Sequence, residues 1–255
     1  MPDVADFKKI SLEYYYRLID LAKDILKVLA QTLELEENWF DDFAEGAVAT
    51  MRLLHYPTQP ADSEQELLRG IRAHTDFGII TILLQDTVAG LQVWDKQTKD
   101  WLDVTPTPGA FVVNLGNLMM RWSNDKYISN THRVINQSEQ ERYSIPVFFS
   151  ENPDFVVECL PNCEEEGEQA KHPPITVEQA VLGGVCRQLR KGGEVQERSG
   201  RRSGEGQCHA AGQGGRGCMR SKSAADAALV IWREKSTGIL DKNWLLMARM
   251  DDSHG

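Results

Sequence analysis

Two short stretches and one distant residue have the types and spacing for chemistry: His74 and Asp76 in "AHTDFG", His132 in "SNTHRV", and Arg142 with Ser144 in "RYSIPVFF". In an extended strand, residues i and i+2 point to the same face, so His74 and Asp76 can present an imidazole and a carboxylate side by side. Such a pair holds a metal if a third ligand arrives from elsewhere. His55 stands next to Tyr56 and Pro57, while His172, His209 and His254 lie in polar, irregular sequence. His132 opens another strand-like run within the same β-rich region and is the candidate third ligand. On spacing alone two readings stand, a metal site or an ordinary strand entrance with His132 at the surface.

Two histidines and one carboxylate on one side of a metal leave its other positions open, the ligand set of non-haem Fe(II) oxygenases. Arg142, Ser144, Pro146 and Phe148 alternate along one face of an expected strand. A guanidinium and a hydroxyl on an inward face need an anionic partner, because a buried cation left unpaired is costly. The arginine fork matches a carboxylate, and Ser144 adds a donor. A 2-oxo acid would satisfy both features, chelating the metal at one end and reaching the Arg–Ser pair with the other.

The elements that must position these groups fall in a simple order. From about Lys9 to Leu35, apolar residues recur at spacings of three and four (Tyr15, Leu18, Ile19, Ala22, Ile25, Leu26, Leu29, Ala30), which predicts a long amphipathic helix. A second helix is expected over Asn38–Thr50, then a strand-like "MRLLHYP" and a loop at "PTQPADSEQE". From His74 to about Val157, short apolar runs alternate with turn signals: "GIITILL", "GLQVW", "DWLDVTP", "GAFVVNLG", "HRVIN", "RYSIPVFF" and "DFVVECL". That spacing predicts an antiparallel sandwich or jelly roll. "CEEEGEQ" reads as a solvated acidic run, and Val185–Lys222 is glycine- and arginine-rich without apolar periodicity, which predicts disorder. "ADAALVIWREK" is expected to form a short helix after it.

Taken together in order, "LLHYP", "HTDFG", "GLQVW", "FVVNLGNLM", "SNTHRV", "RYSIPVF" and "PPITVEQ" resemble the iron- and 2-oxoglutarate-dependent dioxygenases of the isopenicillin N synthase-like family, from about Ser11 to about Val177. The resemblance implies an α+β fold, a double-stranded β-helix (jelly-roll) core preceded by a long helix. Its domain plan would be a helical lead-in over 1–56, the dioxygenase jelly roll over 57–180, and an atypical, largely disordered tail over 181–255. It implies Fe(II) on His74, Asp76 and His132, 2-oxoglutarate as cosubstrate on Arg142, Ser144 and the Tyr56 hydroxyl, O2 as oxidant, and Phe148 against the substrate. The implied activity couples oxidative decarboxylation of 2-oxoglutarate to hydroxylation, desaturation or cyclisation of a small organic molecule, in secondary-metabolite biosynthesis. The family pattern also has an N-terminal lobe before the long helix, C-terminal helices after "PPITVEQ", and an aspartate where Asn117 stands. For the glycine- and arginine-rich third, the expectation is a shifted or mis-spliced reading frame, checked by translating the encoding DNA in its other frames.

Bulk properties bound the alternatives. At 255 residues with 41% hydrophobic residues, the chain can bury a sizeable core. A net charge of −10 argues against a nucleic-acid partner, since phosphate binding needs a basic footprint. No apolar run approaches a membrane span, "MPDVADFKK" has no signal-peptide core, and five irregularly spaced cysteines make no disulfide framework, so a cytoplasmic location is expected. Zinc at Cys159 and Cys163, or at Cys208, His209 and Cys218, lacks paired CxxC knuckles. Two other functional readings stand beside the leading one: a truncated, non-catalytic remnant of the fold, and an iron oxidase of the same fold that does not use 2-oxoglutarate. Oligomeric state is not legible.

Overall fold

The structure is a computed structural model that describes residues 5–45, 47–58, 70–136, 138–150, 152–164 and 169–183, and the backbone of two strands, Ala227–Ile231 and Leu246–Met250. The expected long helix, α1, spans Phe7–Thr32 and buries Leu18, Leu21, Ala22, Ile25, Leu26, Leu29 and Ala30 along one stripe. It stops in a Schellman turn: Leu35 N–H donates to Ala30 O at 2.9 Å and Glu34 N–H to Gln31 O at 3.0 Å. Glu34 adopts the left-handed conformation that this turn requires, φ 58°. A side chain is disfavoured there, so Glu34→Gly is expected to stabilise the fold by about 0.5–1 kcal/mol, read as an upward shift of the thermal midpoint.

The second helix, α2, is only Asp41–Ala44, much shorter than the expected Asn38–Thr50. Val48–Met51 is instead strand β1, paired with the C-terminal half of the long strand β9 (Arg142–Ser150). Ladder pairing outweighs a weak helical preference where the residues include β-branched Val48 and Thr50. The "MRLLHYP" run splits accordingly. β2 (Leu54–Tyr56) takes the N-terminal half of β9, and between them Arg52 N–H donates to Pro146 O at 3.0 Å.

The remaining strands in chain order are β3 (Gly70–His74), β4 (Ile80–Gln85), β5 (Leu91–Asp95), β6 (Asp100–Asp103), β7 (Ala110–Leu115) and β8 (His132–Ile135), with helix α3 (Asn117–Trp122) between β7 and β8. After β9 come the short pair β10 (Val156–Val157) and β11 (Ile175–Thr176). The larger sheet runs β1-β9-β4-β7 with β2 also on β9 and continues past β7 into two C-terminal strands, Leu246–Met250 and then Ala227–Ile231; the smaller runs β3-β8-β5-β6, and all pairings are antiparallel. This is the α+β architecture expected, two antiparallel sheets following a long helix.

Side-chain alternation divides β4, β7 and β9 between an outer and an inner face. Ile80 and Ile82 of β4, Phe111, Val113 and Leu115 of β7, and Val147 and Phe149 of β9 face outward and pack against α1. Tyr56, Leu83 and Val112 face inward and meet Leu91, Val93 and Val134 of the smaller sheet. The outer core anchors the sheet, and the inner face carries the polar residues discussed below.

The C-terminal expectation changes in one respect. Ala227–Ile231, expected within a helix, is strand β12; it pairs with β13 (Leu246–Met250), which pairs with β7. A five-residue apolar run is too short for periodicity to separate helix from strand, and the β-branched Val230 and Ile231 favour a ladder. Most of the expected disordered tail over 181–255 lies outside the described residues. Among the described residues no helix is long and apolar enough to cross a membrane.

Candidate metal centre

β3 ends at His74, and β4 does not begin until Ile80. Asp76 therefore lies beyond the strand, in the link that carries the chain from the smaller sheet to the larger. The expectation of one regular strand face for both residues is corrected: a register shift between Ile71 and His74 bends the strand end, and the link turns Asp76 inward. His132 is the direct cross-strand partner of His74 in the β3–β8 ladder, so the imidazoles rise from facing positions with ring centroids 4.3 Å apart. Each Nε2 lies 3.7 Å from Asp76 Oδ1, and one ligating atom from each of the three residues lies within 4.8 Å of the others. Among the described residues, this is the one group of three or more His, Cys, Asp or Glu side chains that converges so.

The surrounding hydrogen bonds set which atoms face inward. His74 Nδ1 is 2.7 Å from Arg72 O, and His132 Nδ1 is 3.1 Å from Asn130 O. A carbonyl only accepts, so each Nδ1 carries the proton and donates, leaving each Nε2 with its lone pair. Asp76 Oδ2 accepts from Thr81 Oγ1 and from Asn114 Nδ2, both at 2.7 Å, which leaves Oδ1 toward the histidines. Burial, reinforced by neighbouring His132, holds the pKa of His74 below its ordinary value against the opposing pull of Arg72 O and Asp76. The neutral imidazole, the form that ligates, is thereby favoured.

Helix α3 clamps the link that carries Asp76. Its first-turn N–H groups have no partners within the helix. Asn117 N–H donates to Asp76 O at 2.8 Å, and Leu118 N–H to Phe77 O and Gly78 O at 3.3 and 3.2 Å. Asn117 Nδ2 also donates to Thr75 Oγ1 at 3.1 Å, a bond that asparagine makes as a donor. The approach is close enough that a Cβ on Gly116 would sit 2.1 Å from Gly78 O.

Arg142 lies on the inward face of β9 and is fully buried, with Ser144 3% exposed beside it. Its Nη2 donates to Gln85 Oε1 at 2.9 Å, while Nε and Nη1 have no partner among the described residues. Desolvation pulls its pKa below the usual arginine value, with Tyr56 and Asp86 opposing. Tyr56, its cross-strand neighbour, places its ring 5.0 Å beneath the guanidinium. Gly90, at φ +147°, leaves room for this side chain; a Cβ there would meet Arg142 Cδ at 3.3 Å and Ile135 O at 2.8 Å. Phe148 pairs across the ladder with Thr81, the donor to Asp76, and Arg52 Cζ lies 5.5 Å over its ring.

Every residue singled out for chemistry is thus on the inner face or at its mouth, and the competing candidates are elsewhere. His55 stacks on Tyr143 and His172 Nε2 bonds Asp125 Oδ1 at 2.8 Å. Cys159 and Cys163 are free thiols, and Cys208, His209, Cys218 and His254 lie outside the described residues. Sequence reasoning missed Thr81, Gln85 and Asn114. The available signal was their polarity: Thr81 and Asn114 interrupt, and Gln85 ends, an otherwise apolar strand at an inward position, "IITILLQ" and "FVVNL". Partners of a ligating carboxylate typically tune metal affinity by about 10–100-fold. Thr81→Val and Asn114→Leu are each expected to weaken Fe(II) binding by about that factor, measured by anaerobic Fe(II) titration.

The donor set, two imidazoles and one carboxylate, suits Fe(II), and the unpartnered nitrogens of buried Arg142 suit a carboxylate. Comparison with known proteins agrees. Residues 47–151 match the 2OG-Fe(II) oxygenase superfamily. The 2-oxoglutarate-Fe(II) type oxidoreductase hxnY of Emericella nidulans is 62% identical over 183 residues, covering 72% of this chain and 52% of that protein. A full-length Neurospora crassa protein in complex with alpha-KG superposes with a TM-score of 0.65 at 31% identity, covering 72% of this chain and 58% of that one. JOX2 in complex with 2OG, Fe and JA gives a TM-score of 0.64 at 33% identity, covering 71% and 53%. The chain spans about half the length of the curated relatives it matches.

Proposed function

Because the chain carries a domain of the 2OG-Fe(II) oxygenase superfamily over residues 47–151, we propose that it is the catalytic core of an isopenicillin N synthase-like oxidoreductase. In this reading it oxidises a C–H bond of a small organic substrate at the expense of 2-oxoglutarate and O2, in secondary metabolism. The division is a helical lead-in over 1–56, the dioxygenase unit over 57–180 and a tail over 181–255. A cytoplasmic location belongs to the same proposal, on the irregular cysteine spacing. JOX2 and its complex with JA offer a precedent for a small organic ligand in a chain of this fold.

The observation that carries the reading is the pairing of two incomplete sites on one inner face. Three ligating atoms converge with their lone pairs turned together, and a buried guanidinium has two nitrogens left over. Fe(II), when bound, supplies the redox chemistry that couples decarboxylation of the 2-oxo acid to C–H oxidation. The protein's part is to hold and exclude. His74, Asp76 and His132 would hold the metal. Arg142 and Ser144, with the Tyr56 hydroxyl, receive the far carboxylate of the cosubstrate and so fix its orientation. Thr81 and Asn114 keep Asp76 Oδ1 aimed inward. Phe148, beside Thr81, forms an apolar wall for the substrate.

The test is anaerobic addition of Fe(II) and then 2-oxoglutarate to the full chain. A weak visible charge-transfer band is expected, together with succinate formation that depends on 2-oxoglutarate once air and a substrate are supplied. No band refutes the cofactor assignment, and turnover indifferent to 2-oxoglutarate favours an oxidase of the same fold.

A further inference from the structure

We propose that Gln85 is the positioning residue that presents Arg142 to the cosubstrate, and that its neutral carboxamide is what keeps the guanidinium available to a dianion. The proposal rests on the function proposed above. Arg142 is 0% exposed, and its Nη2 donates to Gln85 Oε1 at 2.9 Å. Gln85 stands directly opposite Ser144 in the β4–β9 ladder, so carboxamide, hydroxyl and guanidinium share one face. A guanidinium only donates, so Gln85 must offer it the oxygen, and its NH2 end is turned away.

The groups in contact with the cation are neutral, and the Asp86 carboxylate acts on it only through space. Tyr56 offers a ring face, and Gly90 offers open space for the side-chain stem. Asp86, the adjacent carboxylate, is engaged otherwise: Oδ1 accepts from Val88 N–H at 2.9 Å and Oδ2 from Tyr143 N–H. No carboxylate therefore forms an ion pair with Arg142 among the described residues. A fully buried cation fixed by an amide has its direction set while its charge is left without a direct ion pair, which suits a site that must bind and release an anion. Glutamate at position 85 would have nearly the same shape, yet it would neutralise Arg142 and repel an incoming carboxylate.

The experiment compares the wild-type full chain with Gln85→Leu and Gln85→Glu. Three quantities are read: the thermal midpoint without ligands, anaerobic Fe(II) affinity, and 2-oxoglutarate affinity of the Fe(II)-loaded protein by calorimetry. Gln85→Leu should weaken 2-oxoglutarate about tenfold with Fe(II) affinity unchanged. Gln85→Glu should raise the ligand-free midpoint while weakening 2-oxoglutarate about a hundredfold or more. A residue that only packs would give Gln and Glu the same affinity, and that result overturns the proposal. Parallel loss of Fe(II) and 2-oxoglutarate binding in both variants overturns it too, since the damage would then be general. If the wild type itself binds Fe(II) but no 2-oxoglutarate, the function proposed above fails and this inference falls with it.

Discussion

His132→Ala is expected to abolish stable Fe(II) binding, and with it the visible band and all turnover. Three residues converge as candidate ligands, and the two left behind come from one strand end and its adjoining link. They hold a metal from one edge only, without the facial set that a non-haem Fe(II) centre needs. The fold should survive the change. β8 is held by backbone ladders to both β3 and β5, and neither depends on the imidazole. A thermal midpoint close to wild type, within about 1 kcal/mol, should therefore accompany the loss of metal. Anaerobic Fe(II) titration followed by 2-oxoglutarate addition checks this directly. An unchanged band in the variant would mean that the metal is held elsewhere.

Arg142→Leu should separate binding from folding in the opposite sense. Truncating one member of a buried charge pair costs roughly 2–5 kcal/mol, so 2-oxoglutarate should bind about 30- to 5000-fold more weakly. The ligand-free protein should nevertheless be at least as stable as wild type. A fully buried guanidinium with two unpartnered nitrogens is a liability without its anion, and a shorter apolar side chain removes it. Calorimetric titration with 2-oxoglutarate, set beside thermal melts of the ligand-free chains, reads both effects. Equal affinity in the two proteins would remove Arg142 from the cosubstrate site, whatever the melts showed.

Much of this was legible in the chain because the relevant signals are local. The stripe from Leu18 to Ala30 predicts α1, since helical repeat alone places those residues on one face. Alternation in "RYSIPVFF" predicts that Arg142, Ser144 and Phe148 share a face, since strand geometry has a period of two. Residue type names the metal chemistry of His74, Asp76 and His132, because few side chains ligate. Where local signals are weak, the expectations failed. α2 shrank to one turn once β1 found a partner in β9, and the apolar run at Ala227–Ile231 became a strand once β13 lay beside it.

The rest came from contacts between different strands, helices and links, which no local pattern encodes. His74 faces His132 because β3 and β8 pair in one particular register. Asp76 turns toward them because it sits in the crossover between two sheets, clamped by the first turn of α3. Thr81 and Asn114 fix which carboxylate oxygen is free, and Gln85 fixes the guanidinium, through hydrogen bonds that span between 5 and 57 positions of sequence. Composition and spacing determined which groups were present and on which strand faces. Ladder register and the crossover determined that three candidate ligand atoms converge within 4.8 Å of one another with their lone pairs inward, because direction in a site is set by the neighbours that occupy the remaining donors and acceptors.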